Sequence, residues 1–337
     1  MINKQLLEPE SIVVIGGSNN CHKPGGAVVR NLLSGGYKGT LRIVNPKEDE
    51  VQGIKAFHDV EELPQTDLAI LVVAAKFCPE YVEFLAKEKQ TRAFIIISAG
   101  FGEETKEGAV LEQHVLDTYG CALIGPNCIG LLTRWHHSVF TKPIPNLNPK
   151  GVDFISGSGA TAVFILESAV TKGLPFNSVW SVGNGRQIGI ESVLEYFDPE
   201  KDSMVKLLYV ENISEPDKLL KHATSLIRKG CRIAAIKAGS SESGSRAASS
   251  HTGAIASSDS AVEALFRKAG IVRCFSRDEL TTVGCIFTLP RFTGKNVAIV
   301  THAGGPGVML TDALSKGGMN VPPISGKYAD ELKEQLF

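Results

Sequence analysis

One histidine, His251, stands in the run KAGSSESGSRAASSHTGAIASSD from Lys237 to Asp259, where most neighbours are Ser, Gly or Ala. A neutral imidazole is a nucleophile that can accept a phosphoryl group. Small flanking residues suit a loop that carries the ring between two sites. The same composition also fits a Ser/Gly surface loop that happens to contain a histidine, and composition alone does not choose. Two other segments weigh toward the first reading. In Phe154–Ala160 (FISGSGA) and in Val300–Gly307 (VTHAGGPG), an apolar run turns through glycines toward a helical pattern. Such turns offer bare N–H groups and the positive end of a helix dipole to an anion. Neither ends in the Lys-Ser/Thr of a P-loop, so backbone rather than a lysine and magnesium would hold the phosphate. The expected phosphate ligands are Gly157, Ser158, Gly159 and Ala160 in the first turn and Gly304, Gly305 and Gly307 in the second. Singly, each turn reads equally as a structural corner; facing one another, they would cradle a phosphorylated imidazole. Glu211, at the end of the apolar run Leu207–Val210, is the candidate carboxylate to orient that ring. His136, His137 and His302 stand outside any small-residue loop.

A third glycine-rich turn lies near the start, where the apolar run Ser11–Ile15 meets Gly16, Gly17 and Ser18 and then Lys23, Gly25 and Gly26. The pattern suits a pyrophosphate and is shared by NAD, flavin and CoA binders. An NAD site places Asp or Glu after the second strand to bond the ribose hydroxyls. Here that place holds Asn45, Pro46 and Lys47, and a lysine there suits an extra phosphate on the ribose, as in CoA or NADP. The alternative for Lys47 is a solvated surface position. Ala74, Ala75, Ser98, Ala99, Asn127 and Cys128 fall at the carboxyl ends of later strands, the rim at which open α/β sheets bind ligands. CoA is the expected ligand of this set.

The elements that must position these groups follow from the alternation of short apolar runs with helical periodicity, which predicts an α/β fold with mainly parallel sheets. In the first third the pattern predicts strands at Ser11–Ile15, Leu41–Val44, Leu68–Val73, Ala93–Ile97 and Ala122–Ile124. Helices are expected near Ala27–Leu33, Cys78–Glu88 and Gly108–Tyr119. The Pro-rich segment Thr141–Gly151 reads as a linker or extended crossing. A second α/β series then runs through strands at Val152–Ile155, Ser178–Ser181, Val205–Val210 and Ile233–Ile236. A third series begins with a strand at Asn296–Thr301 and a helix at Gly307–Lys316. The expected divisions are 1–130, 131–288 and 289–337, the last too short to complete a sheet of this kind and so expected to be part of a longer polypeptide.

A net charge of −1 gives no electrostatic reason to expect nucleic acid or anionic lipid. The start lacks a basic, apolar signal pattern, and no run approaches the length of a membrane span. The seven cysteines form no CxxC pair and no zinc spacing, so no metal site is expected in this chain. Reduced thiols and a cytoplasmic location are the expectation.

Several stretches resemble the ADP-forming acyl-CoA synthetases of the succinyl-CoA synthetase superfamily: VNPKEDEVQG (44–53), ISAGFGEE (97–104), GPNCIG (125–130), SGSGA (156–160), KAGSSESGSRAASSHTGA (237–254) and THAGGPGVMLTDAL (301–314). The resemblance implies a Rossmann-like CoA-binding domain followed by flavodoxin-like ligase domains. It implies an acid–thiol ligase that converts acyl-CoA, ADP and phosphate to acid, CoA and ATP through an acyl phosphate and a phosphohistidine. His251 would be the phosphoryl acceptor and Glu211 its orienting carboxylate. No ATP-grasp domain is recognisable, so the ADP/ATP and Mg2+ site is expected on a further subunit or segment, within an oligomer. Arg186-Gln187 stands where related chains usually carry Ala-Asp, a departure placed to alter the acyl pocket. Ala74-Ala75 lacks the common Val-Pro, and His302 replaces the usual Asn. Three readings compete with this one: a succinyl-CoA synthetase α subunit, against which THAGGPGV argues; a CoA-binding sensor or protein-acylation regulator without ligase chemistry; and a plain NADP-binding oxidoreductase, against which the lack of an evident hydride-transfer acid or base argues.

Overall fold

The run Ser11–Ile15, apolar from Ile12 onward, forms β1, buried from Ile12 to Ile15 as the central strand of a parallel sheet must be. In the computed structural model, which describes residues 1–116, 120–241, 243–244, 246, 258–290 and 293–335, β1 follows a one-turn helix α1 (Lys4–Leu7). It is flanked by β2 (Thr40–Val44) on one side and β5 (Leu68–Leu71) on the other. Beyond β2 lie β4 (Ile54–Phe57) and the two-residue β3 (Glu50–Val51); beyond β5 lie β6 (Ala93–Ile96) and β7 (Ala122–Ile124). All pairs are parallel except β3 with β4. The crossovers are α2 (Pro24–Ser34), α3 (Cys78–Glu88) and α4 (Lys106–Leu116).

Helix α2 starts three residues before the expected Ala27. Pro24 supplies the fixed φ that suits the first helical position, and the glycines after it allow the helix to lie against β1. A Cβ on Gly25 would stand 2.0 Å from the Gly16 carbonyl oxygen, so only glycine permits this approach.

The second sheet is centred on β10 (Leu147–Ser156). On one side come β11 (Phe176–Ser181), β8 (Gly130–Leu132) and β9 (His137–Val139); on the other come β12 (Val205–Val210), β13 (Arg232–Lys237) and β14 (Val272–Cys274). The pairs β11–β8 and β8–β9 are antiparallel and the rest parallel. Its helices are α5 (Gly159–Thr171), α6 (Ile190–Tyr196), α7 (Pro216–Arg228), α8 (Asp259–Ala269) and α9 (Arg277–Thr288). The expected linker Thr141–Gly151 is corrected in its second half. Leu147–Lys150 are strand, because the Phe176 N–H finds the Asn146 carbonyl and Leu147 pairs with Phe176 before a register shift.

The two sheets belong to one compact unit, Met1–Thr288. One buried apolar cluster runs through both, from Ile12 and Val14 to Ile155, Trp180 and Leu208. The β8–β9 hairpin is the joint. Asn31 of α2 donates to the Val139 carbonyl (2.7 Å), and His136 reaches the Leu6 carbonyl (2.9 Å) and the Ser138 hydroxyl (2.7 Å).

Residues Leu289–Phe337 form a separate unit. It holds α10 (Gly304–Lys316) and α11 (Lys327–Gln335). The strand expected at Asn296–Thr301 is absent. Asn296 alone bridges Asn320, and among the described residues no neighbouring strand pairs with the rest.

Candidate active site

In each sheet the chain order reverses beside the first-formed parallel strand: between β1 and β5 in one, and between β10 and β12 in the other. Such switch points open a crevice outside the carboxyl ends of the strands. Here both crevices open into a single cavity of about 750 Å3. Gly16, Ser18, Lys23, Gly25, Ser98, Ala99, Asn127 and Cys128 line it from the first sheet. Gly157, Ser158, Gly159, Ala160 and Glu211 line it from the second.

The CoA-side residues are set by backbone geometry. Gly16 has φ +87°, and a Cβ on it would stand 2.4 Å from the Val72 carbonyl. No side chain caps α2, whose N-cap is Lys23, so its first-turn N–H groups are left for an anion. This start fits a pyrophosphate. Gln52 steadies the loop by donating to the Ser18 and Gly26 carbonyls, both at 2.9 Å. Gly17, Gly26, Asn45, Pro46, Lys47, Ala74 and Ala75 do not line the cavity. Gly17 and Gly26 are instead small for packing, against Ile43 and the Asn20 carbonyl. Asn45 braces the loop by donating to the Gly17 carbonyl (2.8 Å), and its side-chain oxygen accepts the Lys47 N–H (2.8 Å). Pro46 and Lys47 are exposed. Cys128 is buried, and burial pushes its thiol up to about 12, which leaves it inert as a nucleophile.

The turn before α5 is roomy at Gly157 but not at Gly159, where a Cβ would stand 2.7 Å from the Ile129 side chain. Ser158 caps α5 by accepting the Thr161 N–H (3.3 Å), and the Ser156 hydroxyl donates to the Ser158 carbonyl (2.7 Å). A Cβ on Gly157 would meet nothing closer than 3.8 Å, and those atoms belong to Glu211 and Tyr209. The Glu211 backbone and Cβ are thus among the groups nearest Gly157, and Glu211 lines the same cavity. Its charge, after burial, contributes to raising the Tyr209 hydroxyl. Lys237, at the end of β13, is buried beside these groups. Burial lowers its ammonium, against the opposing fields of Asp259 and Glu211.

A polar cluster not expected from the sequence closes the cavity between the sheets. The Asn184 amide donates to Glu103 (2.6 Å) and to Glu112 (2.8 Å), and Arg186 Nε donates to the second Glu112 oxygen (3.2 Å). Burial alone would raise the Glu103 carboxyl. The Asn184 amide and the Gly100 and Phe101 N–H groups outweigh it and hold the group below the usual range. Gln187 turns the other way and completes the β7 edge, accepting from the Leu123 N–H (2.8 Å) and donating to the Cys121 carbonyl (3.1 Å). Gly183 lies so close to the Pro126 carbonyl that a Cβ there would be 2.2 Å away.

His251 lies outside the described residues. Gly304, Gly305 and Gly307 form the first turn of α10 in the separate unit, with open space around Gly304 and Gly305. Of the other histidines, His136 is a buried clamp whose ring is pushed down to about 4 by burial, and His302 is exposed.

The two α/β domains, whose switch points share a crevice, each match a known family. Residues 10–134 match the CoA binding domain family, and residues 149–287 match the succinyl-CoA ligase like flavodoxin domain family. The chain is 37% identical to the alpha subunit of an ADP-forming acetate–CoA ligase II of Pyrococcus furiosus, over 98% of this chain and 72% of that one. It is 36% identical to an ADP-forming acetate–CoA ligase I of Archaeoglobus fulgidus, of which it spans only 48%. An acetyl-coenzyme A synthetase of Ca. Korarchaeum cryptofilum, solved with phosphate and ADP, superimposes with a TM-score of 0.85 at 29% identity, covering 98% of this chain and 72% of that one. The chain belongs to the family of ADP-forming acyl-CoA ligases, and it covers 72% of the alpha subunit named above.

Proposed function

We propose that the chain carries the acyl-transfer and phosphohistidine half of the reaction acyl-CoA + ADP + phosphate = carboxylic acid + CoA + ATP. The observation that supports it most is the shared cavity, lined by a pyrophosphate-type turn from one sheet and by the α5 start and Glu211 from the other. The first-turn N–H groups of α2 would hold the CoA pyrophosphate, and Lys47 its ribose phosphate, with the thiol arm running past Ser98 and Asn127. Inorganic phosphate on the α5 start attacks the thioester carbonyl. The C–S bond breaks, the thiolate leaves, and an acyl phosphate forms. His251 then attacks phosphorus, the acyl carboxylate leaves, and the phosphoryl group stays on the ring. Glu211 holds the second ring N–H, which fixes the attacking nitrogen and stabilises the charged imidazole. The phosphohistidine passes its group to ADP, with Mg2+, on an ATP-grasp subunit or segment. Residues 1–130 serve CoA, 131–288 the phosphoryl chemistry, and 289–337, with Gly304, Gly305 and Gly307, begin a further ligase domain that supplies a second cradle. No described helix is long and apolar enough to cross a membrane, and the cytoplasm is the proposed location.

The test pairs the chain with its ATP-grasp partner, labelled ATP and magnesium. Acid-labile, base-stable label on the wild type, lost in His251→Ala, is expected. Label that persists in the variant would move the acceptor elsewhere. No label in either would favour the CoA-sensor reading.

A further inference from the structure

The acyl-CoA ligase reading leaves the acid open, and the cluster at Arg186 bears on it. Arg186 lines the cavity from the loop after β11, and its side chain is 59% exposed while its partner Glu112 is 3% exposed. The anchor is one-sided. Nε is held by Glu112, whereas the two Nη groups have no hydrogen-bond partner among the described residues. A guanidinium fixed at one edge presents the remaining donors in a planar fork. Its partner Glu112 is in turn held by the Asn184 amide. Apolar walls stand nearby at Val182, Ile190 and Phe140.

The charges around the fork decide what it can take. Glu103 and Glu112 are two carboxylates tied to the same Asn184 amide, against the single guanidinium. The cluster therefore carries an excess of negative charge. A second carboxylate on the substrate would meet two carboxylates of like charge in a partly enclosed site, where repulsion is weakly screened. A neutral carbonyl or hydroxyl oxygen accepts from the fork without that penalty. A plain alkyl acid leaves the fork's Nη groups without a ligand acceptor.

We propose that Arg186 is a specificity-determining residue for the acid, and that the enzyme prefers short oxo- or hydroxy-acids over both unsubstituted acids and dicarboxylates. This rests on the ligase reading above. Glu112 is a positioning residue, which acts by holding Arg186.

The experiment measures acid-dependent CoA thioester formation by the complete enzyme, with its ATP-grasp part. Acids of one chain length serve as probes: pentanoate, 2-oxopentanoate, 4-oxopentanoate and glutarate. The wild type is expected to show kcat/KM for one of the oxo-acids at least tenfold above pentanoate, with glutarate lowest. Arg186→Ala is expected to erase that preference through KM, leaving pentanoate and the KM for CoA within about twofold. Arg186→Lys, which keeps the charge and loses the fork, should restore only part of it. An equal loss for all four acids, a raised KM for CoA, or no preference in the wild type overturns the assignment while leaving the ligase reading standing. If no acid yields thioester although the protein binds CoA and is folded, both fall.

Discussion

The starts of α2 and α5 both turn through glycines and face the same cavity, yet their glycines are not all packed alike. At α2 the glycines are forced by neighbours: Gly25 against the Gly16 carbonyl at 2.0 Å, and Gly26 against the Asn20 carbonyl at 2.2 Å. At α5 the glycines divide: a Cβ on Gly159 would stand 2.7 Å from the Ile129 side chain, whereas one on Gly157, just before the cap, would find its nearest atoms, of Glu211 and Tyr209, at 3.8 Å. A crowded start is a rigid scaffold on which a bulky ligand rests from outside. An open position reserves volume for a group that arrives and leaves. Glycine at a βα turn therefore has two meanings, close packing and kept space, and only the neighbours tell them apart.

The largest expected effect lies at the joint that keeps the two starts facing each other. His136 is neutral in its buried clamp, its ring pushed from 6.5 to about 4 chiefly by burial. Below pH 6.5 the unfolded chain binds a proton that the folded chain excludes, so stability from this group is full above pH 6.5 and falls as pH drops toward 4. The loss amounts to about 3 kcal/mol in all. Denaturant titrations of wild type and His136→Gln at pH 7 and pH 4.5 should show a steeper loss in the wild type than in the variant. Equal slopes would mean that the ring titrates freely.

The crowded start comes next. Gly25→Ala cannot fit without moving β1 or α2, and a loss of about 1–3 kcal/mol is expected from chemical denaturation, together with weakened CoA binding. Gly157→Ala should do the reverse. Stability is expected to stay within about 1 kcal/mol, because the methyl meets only ordinary contacts, while phosphoenzyme formation falls about tenfold. If Gly157→Ala unfolds the protein or leaves phosphorylation intact, the contrast between Gly25 and Gly157 is lost. The smallest effect is expected at Lys47, which is exposed. Lys47→Ala should weaken CoA by about three- to fivefold and leave 3′-dephospho-CoA unchanged in equilibrium binding. An equal loss for both ligands removes the ribose-phosphate role.

The apolar runs and the glycine turns were readable because they are local: β1, β6, β12 and the turn at Gly157 each announce themselves within a few residues. The run before Glu211 fixed its place at the end of β12. Other parts had no local signal. Strands β8 and β9 are three residues each, and their role depends on Asn31 and Leu6 more than a hundred residues away in sequence. Asn184 meets carboxylates 81 and 72 positions distant, which no periodicity reveals. Arg186-Gln187 stood out as a departure, but its two side chains part company. Arg186 faces the cavity and Gln187 mimics a strand partner for β7. Thr141–Gly151 looked like a linker because its prolines and asparagines hide a strand that begins at a backbone bond from Phe176. At Asn296–Thr301 the β-branched pattern is present, but among the described residues only the Asn296–Asn320 bridge forms.

The central claim is that CoA and phosphate meet in one cavity, so that thioester cleavage feeds the histidine. It is tested by supplying acetyl-CoA and labelled inorganic phosphate to the complete enzyme with no nucleotide present. The account predicts acid-labile label on His251 that requires acetyl-CoA, is accompanied by free CoA, and is lost in His251→Ala. Label that appears without acetyl-CoA, or CoA release with no label, would contradict it.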